Sequence, residues 1–129
     1  MPNVLVIDDS ATTRLFYRET LEAAGFVVEE GINGLDGLEK AMTSPFDLII
    51  VDINMPKMDG LTFLSETRKR EEIRALPAIM ISTQDRPADR AKAYAAGANI
   101  YFIKPIDPEI LVRYGRLMTG AEAPRDIAS

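Results

Sequence analysis

The stretch from Phe46 to Gly60, FDLIIVDINMPKMDG, constrains this chain more than any other. It opens on Leu48-Ile49-Ile50-Val51, an apolar run rich in β-branched residues and too short for an ordinary helix. A continuous run of this kind is expected of a strand buried on both faces, as in a parallel sheet. The run stops at Asp52, and a loop holding Pro56, Asp59 and Gly60 follows. Open α/β sheets place their chemistry at the carboxyl ends of their strands, which makes Asp52 the first candidate functional residue.

The remaining chain repeats that pattern. Val4-Leu5-Val6-Ile7 is a second apolar run, ending in Asp8-Asp9-Ser10. Ser10 can cap a helix over about 11–24, with Gly25 as its stop and an apolar face containing Leu15, Phe16 and Leu21. Phe26 to Glu30 is a shorter, more polar strand expected nearer an edge. Asn33-Gly34 predicts a turn, and Leu35, Leu38, Ala41 and Met42 predict a second helix, broken by Ser44-Pro45. A third helix follows Gly60 and ends in the charged run Arg68 to Glu72, whose segment from Lys69 is expected to be a solvated face. Pro77 to Ile81 is the fourth strand, ending in Ser82-Thr83-Gln84. Asp85 is the expected cap of a helix carrying Pro87 in its first turn and stopping at Gly97. Within it, Tyr94 is expected to pack rather than to make a functional contact. Ile100 to Ile103 is the fifth strand, ending in Lys104-Pro105, and Asp107-Pro108 opens a last helix to about Met118. Strand and helix alternate five times, which predicts a doubly wound α/β domain: a parallel sheet with helices on both faces. That domain is expected over residues 1–119, followed by a flexible tail over 120–129.

Composition narrows the chemistry. The chain has 129 residues, a net charge of −5, no cysteine and no histidine. One domain with a real core is expected, without thiolate chemistry and without the commonest general base and metal ligand. The acidic balance argues against nucleic-acid binding, and no apolar run is long enough for a membrane span. The N-terminus enters a strand directly, with no signal peptide, so a cytoplasmic protein is the expectation.

The functional reading lies in what stands at the strand ends. Asp8-Asp9, Asp52, Ser82 and Lys104 all fall on one edge of a parallel sheet. Three carboxylates in one pocket repel each other, and a hard divalent cation bound through oxygen, Mg²⁺ first, relieves the conflict. Lys104 adds an ammonium and Ser82 a hydroxyl, completing an anion clamp around a carboxylate nucleophile. That is equipment for receiving a phosphoryl group. Taken singly, Asp52, Ser82 and Lys104 read more readily as a cap, a turn or a surface lysine, and Asp8-Asp9 is evenly balanced between a capping pair and a site. Their joint placement favours the clamp.

Asp8-Asp9, Asp52 with Met55-Pro56-x-Met58-Asp59-Gly60, Ser82 and Lys104-Pro105 together resemble the receiver domain of two-component response regulators, most of all stand-alone receivers of the CheY type. The resemblance covers about residues 3–119. It implies a flavodoxin-like (βα)5 sheet in the order 2-1-3-4-5, which periodicity alone does not supply. It implies that Asp52 accepts a phosphoryl group from a sensor histidine kinase in a reaction dependent on Mg²⁺ (or Mn²⁺). Asp9, Asp52 and the backbone carbonyl of Asn54 would bind the metal, with Asp8 acting mainly through water. Lys104 would pair with the phosphoryl oxygens, Ser82 and Tyr101 would form the switch, and the Lys104-Pro105 peptide would be cis. Read as a residue alone, Tyr101 is simply a core aromatic.

Asn54 and Gln84 stand where the family tunes hydrolysis of the aspartyl phosphate, and Thr83, bulkier than usual there, is expected to crowd the site. The resemblance further implies a monomer whose output surface is the face of the fourth helix, fifth strand and fifth helix. The flagellar switch is the favoured partner, in chemotaxis; a phosphate sink or shuttle, or regulation of some other protein, is the alternative. An aspartyl-phosphate phosphatase of the haloacid-dehalogenase type would need a second carboxylate where Asn54 stands. A flavin or nucleotide binder would need a phosphate loop where Asp8-Asp9 stands.

Overall fold

The computed structural model describes residues 1–121, and residues 122–129, most of the expected tail, lie outside the described residues. Five strands alternate with five helices: β1 (Asn3–Ile7), α1 (Ala11–Ala23), β2 (Val27–Gly31), α2 (Gly34–Thr43), β3 (Leu48–Val51), α3 (Gly60–Arg68), β4 (Ala78–Ser82), α4 (Pro87–Ala96), β5 (Ile100–Ile103) and α5 (Pro108–Thr119). All strand pairs are parallel, in the order β2-β1-β3-β4-β5.

The strand burial explains the sequence pattern. β3 and β4 are buried at every position, because they are central and covered on both faces. Alternate residues of β1, β3 and β4 serve opposite layers. Leu5, Ile7, Ile49, Val51 and Met80 pack with Phe63 and Leu64 of α3 and Ala93 of α4. Val4, Val6, Leu48, Ile50, Ile79 and Ile81 pack with Tyr17 and Leu21 of α1 and Leu111 of α5. β2, at one edge, alternates exposed and buried, as its polar sequence predicts.

Four local expectations are corrected. Leu15 and Phe16 lie 52% and 39% exposed, and α1 instead buries Tyr17 and Leu21. Those two are one turn apart, so they share a face, whereas Leu15 sits about 200° around the helix from Tyr17. Asn33-Gly34 is a helix start rather than a free turn: Asn33 is the N-cap of α2, its side-chain oxygen accepting from the Asp36 amide at 2.8 Å. α4 is capped by Arg86, not Asp85, and the Asp89 carboxylate accepts from the Arg86 amide at 3.3 Å. Tyr94 is 47% exposed, so packing is not its role. The other signals match: Ser10 caps α1, Gly97 ends α4 at φ 119°, and Lys69, Glu71 and Glu72 are exposed.

Candidate functional site

Sheet register assembles the site. β1 and β3 pair Ile7 with Val51, so the next residues, Asp8 and Asp52, leave the sheet side by side. β4 and β5 pair Ser82 with Ile103, which brings Lys104 to the same edge from the other direction. Backbone bonds continue past the strands and fix these ends: Asp52 donates to the Ile7 carbonyl at 3.1 Å and Lys104 to the Ser82 carbonyl at 2.8 Å.

At that edge, oxygens of Asp8, Asp9 and Asp52 lie within 4.8 Å of one another. Asp8 and Asp52 are buried, at 1% and 8% exposure, while Asp9 faces solvent. Asp8 Oδ1 accepts from the Ser10 amide at 2.9 Å, and Asp52 Oδ1 accepts from the Ile53 amide at 2.8 Å. Their second oxygens share one donor, Lys104 Nζ, at 2.9 Å from Asp8 Oδ2 and 3.3 Å from Asp52 Oδ2. The Lys104-Pro105 peptide behind it is cis.

One ammonium among three carboxylates leaves the pocket negative. Burial pushes the Asp52 carboxyl above its ordinary range; Lys104 pulls it down, but the neighbouring Asp8 charge adds to the rise. Burial works against the Lys104 ammonium, yet its hydrogen bond to Asp8 and the two carboxylate charges hold its pKa above the ordinary lysine value. The donor set is hard oxygen without nitrogen or sulfur, with one ligand open to solvent, and this suits Mg²⁺. If the site holds Mg²⁺, the ion in about tenfold excess over its dissociation constant is expected to add about 1.4 kcal/mol of stability to the wild type. Asp9→Asn is expected to lose most of that gain. Thermal melts with and without Mg²⁺ check this, and an undiminished shift in the variant would remove Asp9 from the site.

On the β4 side, Ser82 is fully buried and its Oγ accepts from the Gln84 amide at 3.2 Å. Tyr101 is buried as well, its hydroxyl donating to the Gln84 carbonyl, with the Arg90 guanidinium 5.3 Å from the ring centre. Both groups therefore hold the same loop residue. Thr83 and Asn54 are exposed beside the site. Two residues escaped the sequence reading. Tyr17 is buried, and its phenol is pushed strongly up by burial and by the Asp8 and Asp52 charges. Arg14 donates from Nη1 to the Asp8 backbone carbonyl at 2.6 Å. Arg14 stands in the first turn of the helix that follows the acidic pair, a placement that could have flagged it; nothing in sequence flags Tyr17.

With this geometry in place, the likenesses to known proteins become informative. The family description "Response regulator receiver domain" matches residues 4–115. The chain is 36% identical over 110 residues to the chemotaxis protein CheY1 of Helicobacter pylori, covering 84% of this chain and 89% of that protein. It is 42% identical over 110 residues to the sensor histidine kinase CheAY of the same organism, covering 84% of this chain but 14% of the kinase. It spans about half the length of the transcriptional regulators it also matches. Among solved structures, the chemotaxis response regulator CheY4 of Vibrio cholerae superposes with a TM-score of 0.86 at 35% identity, covering 92% of this chain and 98% of that one.

Proposed function

The chain belongs to the response regulator receiver family, and from that premise we propose that it is a phosphorylation-driven switch whose acceptor is Asp52. The observation that carries this reading is a buried Asp52 carboxylate bonded to Lys104 beside two further carboxylates. The donor is the phosphohistidine of a sensor histidine kinase: an Asp52 oxygen attacks phosphorus, the P–O bond forms as the P–N bond breaks, and the imidazole leaves. A phosphohistidine donor of this kind supports a cytoplasmic location. Mg²⁺ (or Mn²⁺) at Asp9, Asp52 and the Asn54 carbonyl, with Asp8 through water, would neutralise charge on the transferring group. Lys104 binds a phosphoryl oxygen, and catalysis by the protein is confined to this transfer and to hydrolysis of its own product. The test is intact mass after incubation with Mg²⁺ and acetyl phosphate. One added phosphoryl group is expected, and no gain in mass overturns the reading.

Ser82 is the trigger. Its hydroxyl leaves the Gln84 amide for a phosphoryl oxygen, and the loop that Tyr101 also grips follows. The output is the face of α4, β5 and α5, on which Tyr94 is exposed. The flagellar switch is the partner favoured by similarity to chemotaxis proteins, with the protein acting as a monomer. Lys104→Ala should still accept some phosphoryl group but lose phosphate-dependent partner binding; a variant that keeps full dependence contradicts the coupling role. The likeness to a segment of a sensor histidine kinase favours, as second reading, a phosphate sink or shuttle.

Phosphoryl lifetime weighs these readings, and the structure offers a clean probe of it. The Gln84 contacts to Ser82 and Tyr101 use backbone atoms, so Gln84→Ala keeps them and removes only an amide that can orient water. A few-fold slower decay of the phosphorylated form is expected. Identical decay in variant and wild type removes Gln84 from the account.

A further inference from the structure

We propose that Arg14, clamped by Glu30, is a positioning residue for the divalent-cation site: it fixes the peptide unit that joins Asp8 to Asp9. The inference rests on the metal site in the reading above and deepens it. The atom Arg14 grips is the carbonyl oxygen of Asp8, 2.6 Å from Nη1. That oxygen belongs to the same planar peptide as the Asp9 amide. Holding it sets the plane from which Asp9 departs, and with it the direction of the exposed carboxylate.

The guanidinium is itself held. Its Nε donates to Glu30 Oε1 at 2.8 Å, and Arg14 is largely buried, with 13% of its side chain exposed. Glu30 is anchored in turn. Arg18 Nε donates to its second carboxylate oxygen at 2.7 Å, and Lys40 Nζ donates to its backbone carbonyl at 2.5 Å. Burial alone would raise the Glu30 pKa, but the hydrogen bonds and charges of Arg18 and Arg14 hold it below the ordinary value, so the clamp is ionised at neutral pH. The remaining atoms of Asp8 are fixed by other groups: its amide donates to the Gly31 carbonyl at 3.2 Å, and its carboxylate binds the Ser10 amide and Lys104. Asp9 has no such bonds among the described residues, so the peptide before it is its nearest constraint.

A purely electrostatic role predicts the opposite sign. A cation beside a divalent-metal site repels the metal, so deleting it should tighten binding. A positioning role predicts weaker binding, because the unheld peptide lets the Asp9 ligand swing. It also distinguishes arginine from lysine, since only a planar fork can donate to Glu30 and to the Asp8 carbonyl together.

The experiment is calorimetric titration of the full chain with Mg²⁺ alone, well below the melting temperature, for wild type, Arg14→Met, Arg14→Lys and Arg18→Met. Arg18 shares Glu30 with Arg14 but makes no bond to Asp8. Both Arg14 variants are expected to bind about 10-fold more weakly, the loss typical of groups that orient a metal ligand, while Arg18→Met stays within about 2-fold of wild type. Unchanged or tighter binding in Arg14→Met, wild-type affinity in Arg14→Lys, or an equal loss in Arg18→Met each overturns the proposal. Absence of Mg²⁺ binding in the wild type overturns the metal site instead.

Discussion

Asp52→Asn is expected to take up no phosphoryl group from acetyl phosphate under conditions where the wild type gains one, and to melt at a higher temperature than the wild type without Mg²⁺. The two effects share one cause. An amide keeps the shape of the carboxylate and its bond from the Ile53 amide, which is 2.8 Å in the wild type, but it is not a nucleophile. Lys104 retains Asp8 at 2.9 Å, so the ammonium is not left unpaired. The stability effect follows from the sign of the Asp52 shift. Burial, reinforced by Asp8 and opposed by Lys104, raises its pKa in the folded chain above the ordinary 3.8. The fold therefore holds that proton more tightly than the unfolded chain does. Its contribution to stability is present below the ordinary value and is lost as pH rises through the folded value. At pH 7 the ionised carboxylate is a cost to the fold, and the neutral amide removes it, which raises the melting temperature. Melts in chelator should show the gain at pH 7, shrinking on acidification and in excess Mg²⁺. A phosphoryl group on Asp52→Asn would move the acceptor to Asp8 or Asp9; a melting temperature below wild type would refute the charge argument.

The parts of the site legible in the sequence were those that a parallel sheet delivers once the family resemblance supplies its strand order. Once Leu48 to Val51 is a buried parallel strand beside Val4 to Ile7, Asp52 and Asp8 must emerge together, and the register of Ile7 with Val51 does this. Lys104 arrives by the same logic, 96 residues from the Asp8 it binds. What escaped depends on rotations that apolar spacing leaves open. α1 offers Leu15-Phe16 and Tyr17 with Leu21 as rival faces, and the second pair faces the sheet because it lies a turn apart beneath the layer of Val4, Val6 and Ile50. That rotation turns Arg14 toward the Asp8 carbonyl and Tyr17 toward the acidic pocket, so missing the face meant missing both. The α4 cap falls at Arg86, one residue after Asp85, where Asp89 accepts from the Arg86 amide from inside the first turn.

Gly60→Ala is expected to destabilise the fold by about 3 kcal/mol, roughly 10 °C in melting temperature, and to weaken Mg²⁺ binding although residue 60 touches no metal ligand's side chain. A Cβ at Gly60 would stand 2.0 Å from the Asp52 carbonyl oxygen, 2.8 Å from its carbon and 3.0 Å from Ile53 Cα. All three are backbone atoms, so no side chain can swing aside. The loop is drawn this close because the Gly60 amide donates to the Ile53 carbonyl at 2.7 Å, closing residues 53–60 back onto the end of β3. Moving α3 away would relieve the clash, but Phe63 and Leu64 are fully buried under the sheet and hold the helix in place. The strain must then fall on the peptide leaving Asp52, the same peptide whose Ile53 amide orients the Asp52 carboxylate. Stability and site geometry should therefore fail together. Urea unfolding in chelator, paired with Mg²⁺ titration of the folded variant, measures both. A variant within about 1 kcal/mol of wild type would refute the clash, and one destabilised as expected yet binding Mg²⁺ normally would show that the clasp at Gly60 secures the loop without aiming Asp52.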